Sequence, residues 1–252
     1  MTAPHNNDLF ERSAPSIANC IGKLGSVEFY PLFFQMMKAL APIDQYMVFE
    51  FSPNTDYVAC RLAHNVASPE LGVELASLYL QGAYLEDELL KQLKEEVLSE
   101  PESSPCTMLV KRSLPGVYRR KFFNVPNLDT KFSFVVVDKL SSHLFYINFY
   151  NKDEIGFDDN CLSDLRKAIG IIGALLLGHF QVERKQRGIV RSLLVSGLSE
   201  REAQVCDMML KGHTAKSISL KLGVSESTIV TYKKRAFEKL NINLKSELVK
   251  FI

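Results

Sequence analysis

The residues with the clearest chemical purpose lie close to the C-terminal end. Ser227, Val230, Thr231 and Lys234 recur so that, at about 100° per residue, they share one face of a helix. Ile229, Ala236 and Leu240 fall on the opposite face. The shared face carries two hydroxyls, a small apolar group and a long cation, types that suit the major groove of double-stranded DNA. Lysine donates to guanine N7 and O6, threonine bonds base edges or touches a thymine methyl, and valine contacts methyls. A solvated helix face shows the same residue types. The surrounding turn geometry favours the groove reading.

That geometry is marked by its boundary residues. Ser199 with Glu202 three residues on is a capping box, and Val205, Met208 and Met209 give the helix it opens an apolar side. Lys211-Gly212 ends that helix. Thr214 caps a short second helix with Ile218 and Leu222 turned inward, and Gly223 makes a tight turn. Ser225 caps the third helix, lined on one side by Ile229, Tyr232, Ala236, Phe237 and Leu240. A break at Asn241-Ile242-Asn243 precedes a fourth helix expected over 245–252. Two helices joined by a glycine turn, the second one basic, predict a helix-turn-helix.

This block resembles the LuxR-type (GerE-like) DNA-binding domain. The matching residues are Leu198-Ser199-x-Arg201-Glu202, Gln204-Val205, Gly212-His213-Thr214-x-Lys216-x-Ile218, Leu222-Gly223-Val224-Ser225-x-Ser227-Thr228-Ile229 and Lys239-Leu240. The resemblance covers about a quarter of the chain. It implies that Ser227, Val230, Thr231 and Lys234 stand at base-contacting positions, and that Thr214, Lys216 and Thr228 stand where such domains meet phosphate. Three positions depart from the pattern: Tyr232 replaces the usual His, Ser219 the usual Ala, and Lys245 stands near a common Arg. His213 reads as structural.

Charge sets this segment apart. The net charge of the chain is +1, yet residues 1–182 carry 16 Lys and Arg against 22 Asp and Glu, whereas 183–252 carry 14 against 7. A basic module following an acidic one fits nucleic acid at one end. The expected organisation is a ligand-sensing and dimerisation domain over 1–182, a linker over 183–195 and the helix-turn-helix domain over 196–252.

In the front part, helical spacing predicts helices over 27–40, 69–80, 86–98, 115–123 and 157–182. Strands are expected over 45–51, 56–63, 106–112, 131–139 and 144–150, the last two forming a hairpin across Leu140-Ser141-Ser142-His143. The turn signal Ser52-Pro53-Asn54-Thr55 separates the first two, and the first dozen residues read as loose. The order αββααβαββα predicts an α+β protein. Its front half is an α/β/α PAS- or GAF-like sensor on a mainly antiparallel sheet, and its back half an all-α four-helix domain.

Two resemblances bear on what the front half senses. Tyr79-x4-Tyr84-x2-Asp87 looks like the part of acyl-homoserine-lactone domains that carries a ligand-binding Tyr and Asp. The carboxylate would accept a hydrogen bond from the signal's amide. The chain departs from that family in having no Trp and in placing Glu88 where Pro is usual. The alternative is that Glu86, Asp87 and Glu88 form the first turn of a solvated helix. More loosely, 71–87, 117–129 and 154–180 look like the GAF-like front half of LuxR-family regulators, which implies that Tyr118 and Asp129 belong to a pocket region. The candidate ligand residues are Tyr79, Tyr84, Asp87, Tyr118 and Asp129.

Several classes fall away. Apolar residues at 46% and charged residues at 23% exclude a largely disordered chain. The most apolar run, 168–180, is too short to span a bilayer and contains His179, and the N-terminus lacks a signal-peptide pattern. Five scattered cysteines without CxxC spacing point to no metal site or disulfide framework. The acidic constellation of a phosphoacceptor receiver, a nucleophile elbow and a phosphate-binding glycine loop are all absent. The expectation is a cytoplasmic, non-enzymatic bacterial transcription regulator without cofactor. Its expected partners are double-stranded DNA, a second copy of itself, a small-molecule signal and RNA polymerase. The alternative is a ligand-independent regulator whose front domain binds another protein. Two surfaces are candidates for pairing: the apolar second half of the helix over 157–182, and Leu248, Val249, Phe251 and Ile252.

Overall fold

The computed structural model describes residues 8–52, 57–100 and 102–251, the side chains of 8–12 excepted. Residues 1–7, most of the expected turn at 52–55, the expected strand start at residue 56, and Ile252 lie outside the described residues. The chain divides into two units, Met1–Lys23 with Val27–Leu177, and Leu24–Ser26 with Gly178–Ile252.

The first unit is built on a five-stranded sheet: β1 (Gln45–Phe51), β2 (Val58–Asn65), β3 (Cys106–Val110), β4 (Thr130–Val137) and β5 (Leu144–Asn151). The strand order is β2-β1-β5-β4-β3 and every pairing is antiparallel. The three central strands are buried on both faces, which is why β4 and β5 read as near-continuous apolar runs. Helices α1 (Asp8–Ile21), α2 (Phe29–Leu40), α3 (Pro69–Leu80), α4 (Glu88–Ser99), the short α5 (Gly116–Arg119) and α6 (Asp159–Val195) complete the layers. Phe34 of α2 packs on Tyr46 and His64 of one sheet face, and α6 brings Gly173 against Val136 there. On the other face, Leu75 and Tyr79 of α3, Leu89, Leu90, Leu93 and Val97 of α4, and Phe122 and Phe123 enclose a core with Phe49, Val135 and Tyr146.

The expected order of elements is present, with an additional helix at the front. α1 begins inside the segment expected to be loose; Pro15 in its middle removes a backbone donor and disguises the helical pattern. The 115–123 helix is a turn of α-helix that widens into a π-turn over Arg120–Asn124.

The second unit contains the end of α6, then α7 (Glu200–Leu210), α8 (Ala215–Leu222) and α9 (Glu226–Leu240). The expected linker 183–195 is the helical continuation of α6. The expected fourth helix is corrected to a 3₁₀ segment, Lys245–Phe251. Glu247 accepts from the backbone of Asn243 and Leu244, which tightens the entry to this short element. Leu193, Leu198, Val205, Cys206, Ile218, Ile229, Phe237, Leu240 and Leu248 form its core.

Both pairing surfaces look different once folded. Ile169, Ile172, Leu175, Leu176 and Phe180 of α6 are buried within the chain's own structure. Leu248 is fully buried in its own domain and Phe251 packs against that core, which leaves Val249 exposed at 59%.

Candidate nucleic-acid interface and candidate ligand site

The second unit is assembled by its caps. Ser199 Oγ accepts from the Glu202 N–H, and Glu202 Oε2 accepts from the Ser199 N–H at 2.8 Å, which completes the capping box. Glu202 is buried and also holds Lys239 Nζ at 2.7 Å, so one carboxylate ties the start of α7 to the end of α9. Burial pushes the Glu202 carboxyl up, but the Lys239 and Ser199 contacts outweigh it and hold the group below its usual value. Thr214 Oγ1 caps α8 by accepting from Ser217 N. α8 ends on Gly223 at φ +65°, a left-handed conformation that glycine adopts without steric cost. Ser225 caps α9 through the Thr228 N–H and also touches the Ser227 and Thr228 hydroxyls.

This turn sets α9 with Ile229, Ala236, Phe237 and Leu240 buried. Ser227, Val230, Thr231 and Lys234 are all exposed, so the structure brings the four candidate base-contacting residues together on one open face. Thr231 donates to the Ser227 carbonyl at 3.0 Å, which leaves its oxygen to accept and its methyl free for apolar contact. Lys234 is 78% exposed and 3.9 Å from Glu238 one turn on. Thr214 and Lys216 are exposed at the start of α8, and Thr228 is half-buried in the first turn of α9. Helix starts present free N–H groups, which suits phosphate. Tyr232 packs against the core, and Ser219 is buried with its hydroxyl donating to the Lys216 carbonyl. Neither departure disturbs the exposed row Ser227, Val230, Thr231 and Lys234.

In the first unit, Asp87 is not part of a solvated turn. It is 5% exposed and N-caps α4 by accepting from Leu90 N at 3.2 Å. Tyr79 donates to Asp87 Oδ2 at 2.9 Å and Tyr118 at 3.3 Å. Glu86 and Glu88 are exposed, as the alternative expected. The Tyr84 ring lies tilted beside those of Tyr79 and Phe51. Asp129 lies apart from this cluster. It pairs with Lys111 at 3.1 Å and lines a separate cleft with Arg112, Arg119, Asn124 and Glu154.

Two residues of the cluster escaped the sequence reading. Lys131, 1% exposed, reaches Tyr146 Oη at 2.7 Å and Asp87 Oδ2 at 3.5 Å, and Tyr146 Oη donates to Asp87 Oδ2 at 3.4 Å. Burial pushes the Asp87 carboxyl up, but Lys131 and the donors from Tyr79, Leu90 and Tyr118 outweigh it and hold it below the ordinary value. Burial lowers the Lys131 ammonium, and Asp87 opposes that shift. A cleft of about 330 Å³ runs past Asp87 and Tyr118, walled by Leu89, Leu109, Leu114 and Pro115. That volume is at the small end of ligand sites.

Residues 196–252 match the family model described as bacterial regulatory proteins, luxR family. The response regulator GacA of Pseudomonas aeruginosa is 49% identical over 51 residues, which are 20% of this chain and 24% of that relative. The chain thus spans about a quarter of the length of that curated relative. The N-acylhomoserine lactone dependent LuxR family transcription factor CepR2 from Burkholderia cenocepacia is similar in structure. It is 12% identical, with a TM-score of 0.52 over 70% of this chain and 98% of that one. At that identity the likeness concerns the fold. Escherichia coli SdiA is 16% identical with a TM-score of 0.48, over 97% of this chain and 96% of that one. No helix among the described residues is long and apolar enough to cross a membrane.

Proposed function

We propose that this chain, whose residues 196–252 form a LuxR-family helix-turn-helix domain, is a sequence-specific DNA-binding transcription regulator of the bacterial cytoplasm. The observation that carries the reading is the open row Ser227, Val230, Thr231 and Lys234 on α9, in a unit whose helices α7, α8 and α9 are each started by a side-chain cap. Lys216, Thr214 and Thr228 serve as phosphate anchors that set its register. One recognition helix reads few base pairs, so the regulator works as a homodimer on a near-palindrome with half-sites about 10 bp apart. RNA polymerase is the machinery it acts on. It has no catalytic role.

The first unit is the control domain, spanning about 1–182. It shares its fold with a ligand-dependent factor, and the cleft past Asp87 and Tyr118 has the apolar walls a small signal needs. Control by a protein partner instead of a small molecule is the second reading. It is favoured by the filled state of the Asp87 site, where the chain's own side chains supply the donors.

Selection of binding sites from random duplexes with the full chain tests the function. The expected product is a near-palindrome bound by two copies in sedimentation. Duplexes with no common sequence would refute the DNA reading, and a single chain on a single half-site would refute the dimer.

A further inference from the structure

Asp87 is more fully served than a receptor carboxylate should be. Its two oxygens offer about four lone-pair sites. Four donors converge on Oδ2, namely Tyr79 from α3, Tyr118 from α5, Lys131 from β4 and Tyr146 from β5, and the backbone N–H of Leu90 takes Oδ1. Lys131 is central to this arrangement. It stands on the sheet face shared with Tyr150, its cross-strand partner, and Tyr146, the partner of Val135. Its ammonium lies 4.8 Å from the Tyr146 ring centre and 5.7 Å from that of Tyr150. An ammonium between aromatic rings and a carboxylate has the surroundings that proteins give a bound amine.

We propose that Lys131 is a built-in ligand. Its side chain permanently fills the inner polar site at Asp87 Oδ2, so a diffusible molecule gains no hydrogen bond to that oxygen and the first unit folds without one. A signal, if the domain takes one, is confined to the outer cleft along Leu89, Leu109, Leu114 and Pro115. This rests on reading the first unit as the control domain. It deepens that reading by assigning Lys131 as the residue that decides which ligands are refused.

The inference is tested by excising the occupant and returning it. Lys131→Ala removes the atoms of n-propylammonium from the buried site. The full-length variant should melt lower than wild type, by about 10 °C, because a buried carboxylate loses its counter-charge. Millimolar n-propylammonium should restore its Tm saturably. Propan-1-ol, and sodium chloride at equal ionic strength, should not. Wild type should respond to neither the amine nor N-methylbutanamide, a simple amide donor.

If Lys131→Ala does not fold alone, refolding it with and without the amine gives the same readout. Lys131→Met keeps most of the stem, so it should fold and melt lower, and the added change Asp87→Asn should recover part of the loss. An unchanged melting point for Lys131→Met would overturn the inference. So would equal rescue of Lys131→Ala by propan-1-ol, no rescue by the amine, or saturable stabilisation of wild type by the amide. DNA binding on the selected duplex is measured separately. Failed rescue with DNA binding intact removes this inference alone, whereas wild type that does not bind DNA removes the proposed function alone.

Discussion

Replacing Lys234 by alanine is the most direct probe of the proposed base-contacting row. The ammonium is 78% exposed and meets Glu238 at 3.9 Å. A lysine donating to a guanine edge contributes on the order of 1–3 kcal/mol of discrimination. Leaving Glu238 costs about 0.3–0.5 kcal/mol, the worth of an exposed pair one helical turn apart. The net loss for Lys234→Ala is therefore about 0.5–2.7 kcal/mol, or roughly 2- to 100-fold in Kd. It should be confined to one base position in each half-site. Fluorescence anisotropy on the selected duplex and on single-base variants measures both quantities. Wild type should distinguish the variants at that position and Lys234→Ala should not. Glu238→Ala should tighten binding slightly, by releasing the ammonium and removing a negative charge that faces DNA. If Lys234→Ala kept the full base preference and lost affinity uniformly, the residue would be a phosphate contact. The assigned face of α9 would then be wrong.

Other substitutions probe the frame. Lys216→Ala should weaken all duplexes alike and reduce the slope of log K against log salt by about 0.9, measured by titration at several salt concentrations. Gly223→Ala places a side chain at φ +65° and should cost the second unit about 1–2 kcal/mol in urea unfolding; a neutral effect would refute the left-handed turn. Glu202→Gln should reduce stability at neutral pH and flatten its acid dependence. The folded carboxyl has a pKa below its unfolded value. Its contribution is thus fully present above about pH 4.3 and disappears as pH falls through the lower, folded value. Denaturant midpoints for wild type and variant between pH 2 and 7 should converge at the acid end, and parallel curves would refute the assignment.

What could be read from the residues alone divides along physical lines. The second unit is governed by contacts between near neighbours: Ser199 with Glu202, Thr214 with Ser217, Ser225 with Thr228, and the glycine at 223. Such contacts appear in the sequence as spacings, so the helix starts and the open face of α9 were legible. The Lys239–Glu202 pair was not, because 37 residues separate the partners. The linker expectation rested on the polarity of 183–187. Those residues are good helix formers, and Glu183 meets Arg187 one turn on, so polarity there marked a solvated stretch of helix. In the first unit, Tyr79, Asp87 and Tyr118 were visible as types, but not the residue that fills the space between them. Lys131 opens a strand and passes for a polar end position. A physical signal was nevertheless present. Phe132, Phe134 and Val136 occupy one face of β4 and Ser133, Val135 and Val137 the other, and the strand is buried almost throughout. A lysine among them must be buried, and a buried lysine needs an anion. Bringing that lysine to a carboxylate ringed by tyrosines satisfies both. The fold does this by setting the start of α4 over the first residues of β4.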